Sequence, residues 1–141
     1  MIILDTNVLS ALMRPQPDVK VAAWLNQQPA QSVWITAITV FEAHFGIELL
    51  APSRRRQEIE RAFVRVLHED LEGRVLDFDV ASAQQAAALA AERQRVGRPV
   101  DFRDTQIAGI ALARHGTIAT RNIQHFEDVS VPIVNPWVQD V

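Results

Sequence analysis

The first ten residues, MIILDTNVLS, constrain the rest of the chain more than any other stretch. Met1, Ile2, Ile3 and Leu4 make a short continuous apolar run, the pattern of a strand buried on both faces. Asp5 ends the run. Thr6 and Asn7 are good helix-entry residues, and Val8, Leu9, Leu12 and Met13 then recur at helical spacing. Asp5 therefore falls where a buried strand passes into a helix. In open α/β sheets that edge gathers ligands, because strand carboxyl ends and helix amino ends converge there. Taken alone, Asp5 fits a plain helix cap equally well. Other acids at comparable junctions would separate the two readings.

Along the chain, the stretch Arg14 to Asp18 reads as a stop, a turn and a new cap, followed by a helix with Val21, Trp24 and Leu25 that Pro29 closes. Ser32 to Thr36 is a second short strand. The next helix is expected to bury Ile38, Phe41, Phe45 and Leu49, with Val40, Ala43, Ile47 and Leu50 widening the stripe. Glu42 interrupts this apolar surface. A long helix from about Arg54 to Leu71 precedes a third strand, Arg74 to Phe78. Asp79 or Ser82 caps an alanine-rich helix reaching about Val96, whose small residues suit tight packing on a sheet. Asp101 to Arg114 is a further helix with Gly116 as its stop, Thr117 to Thr120 a fourth strand, and Val131 to Val134 a fifth, which Pro132 assigns to an edge. Strands alternating with helices imply an α/β fold: three αβα layers around a mainly parallel five-stranded sheet, with residues 1–141 as one domain.

Three carboxylates fall at matching places in this order. Asp5 follows strand one, Glu42 lies early in the helix after strand two, and Asp104 lies in the first turn of the helix before strand four. Each has a simpler explanation: Thr39 to Glu42 has the form of a capping box, and Asp104 favours the helix dipole. Together they suggest a shared site. Clustered carboxylates raise one another's pKa unless a cation compensates, and a hard divalent ion such as Mg²⁺ or Mn²⁺ takes oxygen ligands of this kind. The chemistry implied is phosphodiester hydrolysis by a metal-activated water.

Composition removes several other chemistries. With no cysteine, disulfides, zinc-thiolate sites and thiol catalysis are excluded. No run approaches a membrane span and no secretion signal stands at the start, so a cytoplasmic protein is expected. A formal charge of −3 offers no global pull on nucleic acid, so basic clusters or bound cations must meet a polyanion locally. An aspartate after strand one also suits haloacid-dehalogenase-type phosphatases and response-regulator receivers. The first need an acid where Asn7 stands, and the second a late lysine where the sole lysine is Lys20.

The segments LDTNVLS, ITVFEAHFGI, DFRDTQIAGIAL and TIATRNIQHF, in this order and spacing, resemble those of PIN-domain ribonucleases, specifically VapC-like and FitB-like toxins of type II toxin–antitoxin pairs. RPQPDVKVAAWL and the terminal NPW favour the FitB-like branch. The resemblance implies a PIN-like sheet, Mg²⁺- or Mn²⁺-dependent endonucleolytic cleavage of RNA, and inhibition by a cognate antitoxin that alone contacts DNA specifically. It maps the catalytic and metal-binding acids onto Asp5, Glu42 and Asp104. The family's frequent fourth acid corresponds to Asn122, an amide that ligates without charge. Asp101 is the candidate substitute, three residues before Asp104. Thr6 and Thr120 are candidates for orienting waters or carboxylates.

Arg98, Arg103 and Arg121 flank the acids in sequence and are the candidate RNA contacts. The run Arg54, Arg55, Arg56 with Arg61 and Arg65 reads as a solvated or dimer-facing surface. None of His44, His68, His115 and His125 shows metal-ligand spacing, and Trp24, Trp34 and Trp137 read as core or interface anchors. A helix apolar on more than one side suggests a partner surface, and the resemblance points to a homodimer there. A rival reading, raised by Asn122, is a PIN fold that binds RNA or an antitoxin-like partner with weak or absent catalysis.

Overall fold

The computed structural model describes residues 1–138. Strands β1 (Ile2–Leu4), β2 (Val33–Thr36), β3 (Val75–Leu76), β4 (Thr117–Ala119) and β5 (Ile133–Val134) form one sheet in the order β3-β2-β1-β4-β5, with every neighbouring pair parallel. Helices α1 (Thr6–Met13), α2 (Val19–Asn26), α3 (Ala37–Glu48), α4 (Arg54–Arg65), α5 (Val80–Arg95) and α6 (Phe102–Arg114) complete the layers. Among the described residues, no helix is long and apolar enough to cross a membrane.

Side-chain alternation along each strand divides the apolar residues into two cores. Leu4, Val33, Ile35 and Ala119 point to one face and pack with Val8 and Leu9 of α1, Val21 and Trp24 of α2, Ile47 of α3 and Phe63 of α4. Ile3 and Ile118 point to the other and meet Ala108, Ile110 and Ala111 of α6, with Phe126 and Val129 from the loop after β4. The order of strands matters for the site. The chain moves outward from β1 to β2 and β3, then crosses back to place β4 on β1's other side. The crevice between the carboxyl ends of β1 and β4 is therefore the topological switch point, where such sheets bind ligands.

Four expectations change on contact with the tertiary structure. Phe41, Phe45 and Leu49 of α3 are 59%, 48% and 70% exposed, with the two rings stacked at 6.0 Å, whereas Thr39 and Ile47 are buried and Val40 and Ala43 pack inward. An all-round apolar helix does not encode which side meets the sheet. The long helix ends at Arg65 and continues as a single π-turn, Val66–Asp70, in which the Leu71 amide donates to the Val66 carbonyl at 2.8 Å and Leu71 enters the first core. Helix α5 packs chiefly on α6, not on the sheet. At the end of α6, His115 rather than Gly116 takes the left-handed conformation, at φ 54°. Gly116 is small for a different reason: a Cβ there would stand 2.9 Å from the Ile3 Cδ1.

The α5–α6 contact hangs on Gly109. A Cβ at this position would lie 2.6 Å from the Ser82 carbonyl oxygen and 2.7 Å from the Ala86 Cβ, and backbone cannot swing aside. Gly109→Ala is expected to lower unfolding stability by about 1–3 kcal/mol despite alanine's better helix propensity. A urea melt showing no loss would contradict this packing.

Candidate active site

Asp5 is placed by the strand pairing before its side chain does anything. Leu4 pairs with Ala119, the Asp5 amide donates to the Ala119 carbonyl at 2.9 Å, and the next residue on β4's side is Thr120. The Asp5 side chain is 4% exposed. Its Oδ1 accepts the Thr6 amide at 2.8 Å, while Oδ2 accepts the Thr120 hydroxyl at 2.8 Å and the Asn7 side-chain amide at 3.2 Å. Asn7 also donates to Thr120 Oγ1 at 3.3 Å and accepts the Arg121 amide at 3.1 Å. The carboxylate is thus both the α1 cap and the link between two strand ends.

Glu42 reaches the same edge from α3. Thr36 caps that helix, accepting the Thr39 amide at 3.1 Å, so the capping box suggested by Thr39 to Glu42 does not form. Glu42 is released from it. Its Oε1 accepts the Thr6 hydroxyl at 2.9 Å and its Oε2 lies 3.9 Å from the Arg103 guanidinium. Thr6 therefore joins the Asp5 segment to Glu42.

Asp104 comes from the first turn of α6, and its Oδ2 lies 2.8 Å from His125 Nδ1. Burial is the main reason that the Asp5, Glu42 and Asp104 carboxyls all titrate above their ordinary range. Mutual repulsion adds to it: Asp104 raises Asp5, while Asp5 and Asp104 both raise Glu42. The three acids thus face one another electrostatically. Among the described residues, no three acids or histidines close on a single point as a ready cage. One or two carboxylates completed by water and substrate oxygens is the usual arrangement for Mg²⁺, and the all-oxygen donor set suits it.

The remaining sequence candidates are distributed unevenly. Asp101 caps α6 instead of lying on its surface: its Oδ1 accepts the Asp104 amide at 3.1 Å, and its charge helps to raise Asp104's pKa. Asn122 is exposed just beyond β4, its amide donating to Thr120 Oγ1 at 3.0 Å. Arg103 and Arg121 are exposed near the acids, Arg121 lying over the Trp137 ring at 4.9 Å. Arg98 is spent internally, donating to the Gln124 carbonyl at 2.6 Å and lying 3.5 Å from Asp128. Sequence reasoning passed over Asn7, treated as a helix-entry residue, and His125. The latter stands three residues past Asn122, one short turn beyond the strand end already under scrutiny.

A family model described as the PIN domain matches residues 2–132. The chain belongs to the PIN-domain family. It is 36% identical over 137 residues to the VapC ribonuclease Y4jK of Sinorhizobium fredii, covering 97% of this chain and 98% of that one. To the toxin FitB of Neisseria gonorrhoeae it is 36% identical over 145 residues, with 97% and 99% covered. A solved structure of FitAB bound to an IR36 DNA fragment superposes with a TM-score of 0.88 at 33% identity, covering 100% of this chain and 99% of that one.

The raised acids of this PIN domain make a signed prediction for stability. A carboxyl whose pKa is higher folded than unfolded binds more protons in the native state between those two values, so its contribution to stability falls as pH rises through that window. Stability is expected to increase as pH drops through the raised carboxyl pKa values toward the ordinary carboxylate range, before Asp18, Asp79 and Asp128, whose pKa values lie below that range, lose their hydrogen-bonded or ion-paired carboxylates in stronger acid. Urea midpoints measured across this range in chelator should show the rise, and Glu42→Gln should flatten it. A midpoint that climbs steadily up to neutral pH would refute the assignment.

Proposed function

We propose that this protein is a metal-dependent endoribonuclease toxin that hydrolyses RNA phosphodiester bonds and is neutralised by a cognate antitoxin. The observation that carries the reading is the meeting of Asp5, Glu42 and Asp104, from three separate segments, at one edge of the sheet, each made harder to ionise by burial, with Asp104 also raising Asp5 and both of these raising Glu42. Carboxylates so arranged repel one another, which is the electrostatic condition that a divalent cation relieves. The ribonuclease and toxin relatives support RNA as the substrate and toxicity as the outcome.

Asp5, Asp104 and, from across the crevice, Glu42 would hold Mg²⁺ or Mn²⁺, which supplies an acidified water and charge neutralisation at phosphate. The chain's own part is positioning. Thr120 and Asn7 fix Asp5, and Thr6 turns Glu42 toward it. Glu42, with its raised pKa and only partial burial, is suited to accept a proton from the attacking water. Arg103 and Arg121 supply positive charge on the approach to an otherwise acidic pocket, where a phosphate backbone would pass.

The proposed assembly follows from the same surfaces. The exposed Phe41, Phe45 and Leu49 stripe supports a homodimer through α3, since such a patch is costly to leave in water. The FitAB complex on DNA supports an antitoxin partner, with DNA contact made through that partner. The compartment proposed is the cytoplasm, where RNA and a co-expressed antitoxin would be met. With Asn122 in place of an acid, a second metal would be held by the substrate more than by the protein.

Asp5→Asn removes the charge and keeps the α1 cap, since asparagine caps helices about as well as aspartate, while its side-chain nitrogen replaces the oxygen that accepts from Thr120 and Asn7. Cleavage of RNA in Mg²⁺ or Mn²⁺ should fall at least about 100-fold in a variant whose circular dichroism in chelator shows it folded. The unaltered protein should also gain about 2.7 kcal/mol of stability at 100 times the metal's Kd, a gain absent in the variant. Full cleavage by Asp5→Asn would end the nuclease proposal. Metal-independent RNA binding without turnover would favour a binding module. Asn122→Asp should tighten metal binding measured by calorimetry, and unchanged affinity would contradict the charge deficit assigned to that position.

A further inference from the structure

Arg93 is 2% exposed, the one basic side chain among the buried described residues, and nothing in the proposed chemistry uses it. All three of its guanidinium nitrogens are nevertheless engaged. Nε and Nη2 donate to the two carboxylate oxygens of Asp128, each at 2.8 Å; Nη2 also donates to the His125 carbonyl at 2.7 Å, and Nη1 to the Thr105 hydroxyl at 3.0 Å. Thr105 in turn donates to the Asp101 carbonyl at 2.7 Å. Every one of these contacts lands on a segment that carries the site. Thr105 adjoins Asp104, Asp101 starts its helix, and His125 touches Asp104 directly.

An ion pair between a buried arginine and a surface aspartate, their side chains 3% and 30% exposed, is weak evidence for stability. What the pair joins is more informative. The segment from Asn122 to Asp128 holds only a four-residue 3-10 turn, Ile123–Phe126. Arg93 holds that turn by a backbone carbonyl and the start of α6 by a side chain, so one planar fork sets the distance between them. Arg98 adds a second grip on the same turn at the Gln124 carbonyl.

We propose that Arg93, locked by Asp128, is a positioning residue that holds the His125 ring against Asp104 and thereby fixes the Asp104 carboxylate for the reaction. The proposal rests on the nuclease reading for its kinetic consequence, but the clamp itself is testable without activity. Removal of a partner that orients a metal-binding side chain commonly costs about 10- to 100-fold in activity or metal affinity. The loss belongs in kcat, because the RNA-approach residues Arg103 and Arg121 are untouched.

The test uses the full chain with ¹⁵N-labelled histidine at fixed neutral pH, comparing Arg93→Met and Arg93→Met/Asp128→Leu, the second removing both charges so that no unpaired carboxylate destabilises the fold. The expected result is a shift of the His125 side-chain nitrogen resonances in both variants with those of His44 and His68 unmoved, a fall in kcat of about 10- to 100-fold, KM within about 3-fold, and no further loss on adding His125→Ala. Unmoved His125 resonances in the folded variants would overturn the clamp whether or not the protein cuts RNA. Shifted resonances with unchanged kcat, or losses additive with His125→Ala, would overturn its role in the reaction. Absence of cleavage by the unaltered protein would remove the nuclease reading and the kinetic claim together, while the resonances would still decide the clamp.

Discussion

The hydrogen bond from the Thr120 hydroxyl to Asp5, 2.8 Å long and buried, joins the two strand ends between which the site lies. Burying a carboxylate without partners would cost several kcal/mol, so Asp5 is tolerable only because Thr6, Asn7 and Thr120 all donate to it. Those donors come from both sides of the β1–β4 junction. The same bonds that make the charge affordable therefore fix the register at which β1 passes into α1 beside the end of β4. Thr6 extends the arrangement to Glu42, so three elements are oriented from one buried oxygen pair.

Partial compensation leaves a residue of unfavourable electrostatics, and its location is informative. Asp5 and Asp104 remain raised even though hydrogen bonds or cations act to lower them, because desolvation outweighs each favourable contact. Elsewhere in the chain, acids at the exposed surface are lowered by caps and ion pairs, as Asp79 and Asp128 are. Among the described residues, the acids held clearly above their ordinary range are Asp5, Glu42 and Asp104. Two apolar cores give the fold the cohesion to carry that cost.

The three acids and the parallel sheet were legible in the sequence because each signal is local: an acid terminates or interrupts an apolar run at a strand-to-helix or helix-start position. What escaped was set by distant contacts. Phe41 and Phe45 looked buried because α3 is apolar around its circumference, and only packing against the sheet reveals that Val40, Ala43 and Ile47 take the inner side. Arg93 sits in an alanine-rich helix with nothing in its neighbourhood to distinguish it from the exposed Arg95. Its partners lie 12 to 35 residues away, in segments that come together only after α5 packs on α6. Asn7 was misjudged more subtly. Position two after a strand-ending aspartate is a good place to enter a helix, and the amide's bonds to Asp5, Thr120 and Arg121 exist only once β4 is beside β1.

The asparagine at position 122 takes on a different meaning in this setting. Asp101 does not replace the missing charge, because its carboxylate is turned to the amide of the helix that it starts. Asn122, in turn, donates its backbone N–H to Thr120, the residue that holds Asp5. Thr120 Oγ1 thus donates to Asp5 while receiving from Asn122 and Asn7, which orients its proton toward the carboxylate. That backbone bond is open to aspartate equally well, so the fold does not demand an amide side chain here. What the amide changes is charge alone: a fourth acid would add repulsion to a group already crowded, whereas asparagine keeps an oxygen at the rim without it. An aspartate at position 122 would therefore add charge beside the acids without changing the backbone bond to Thr120.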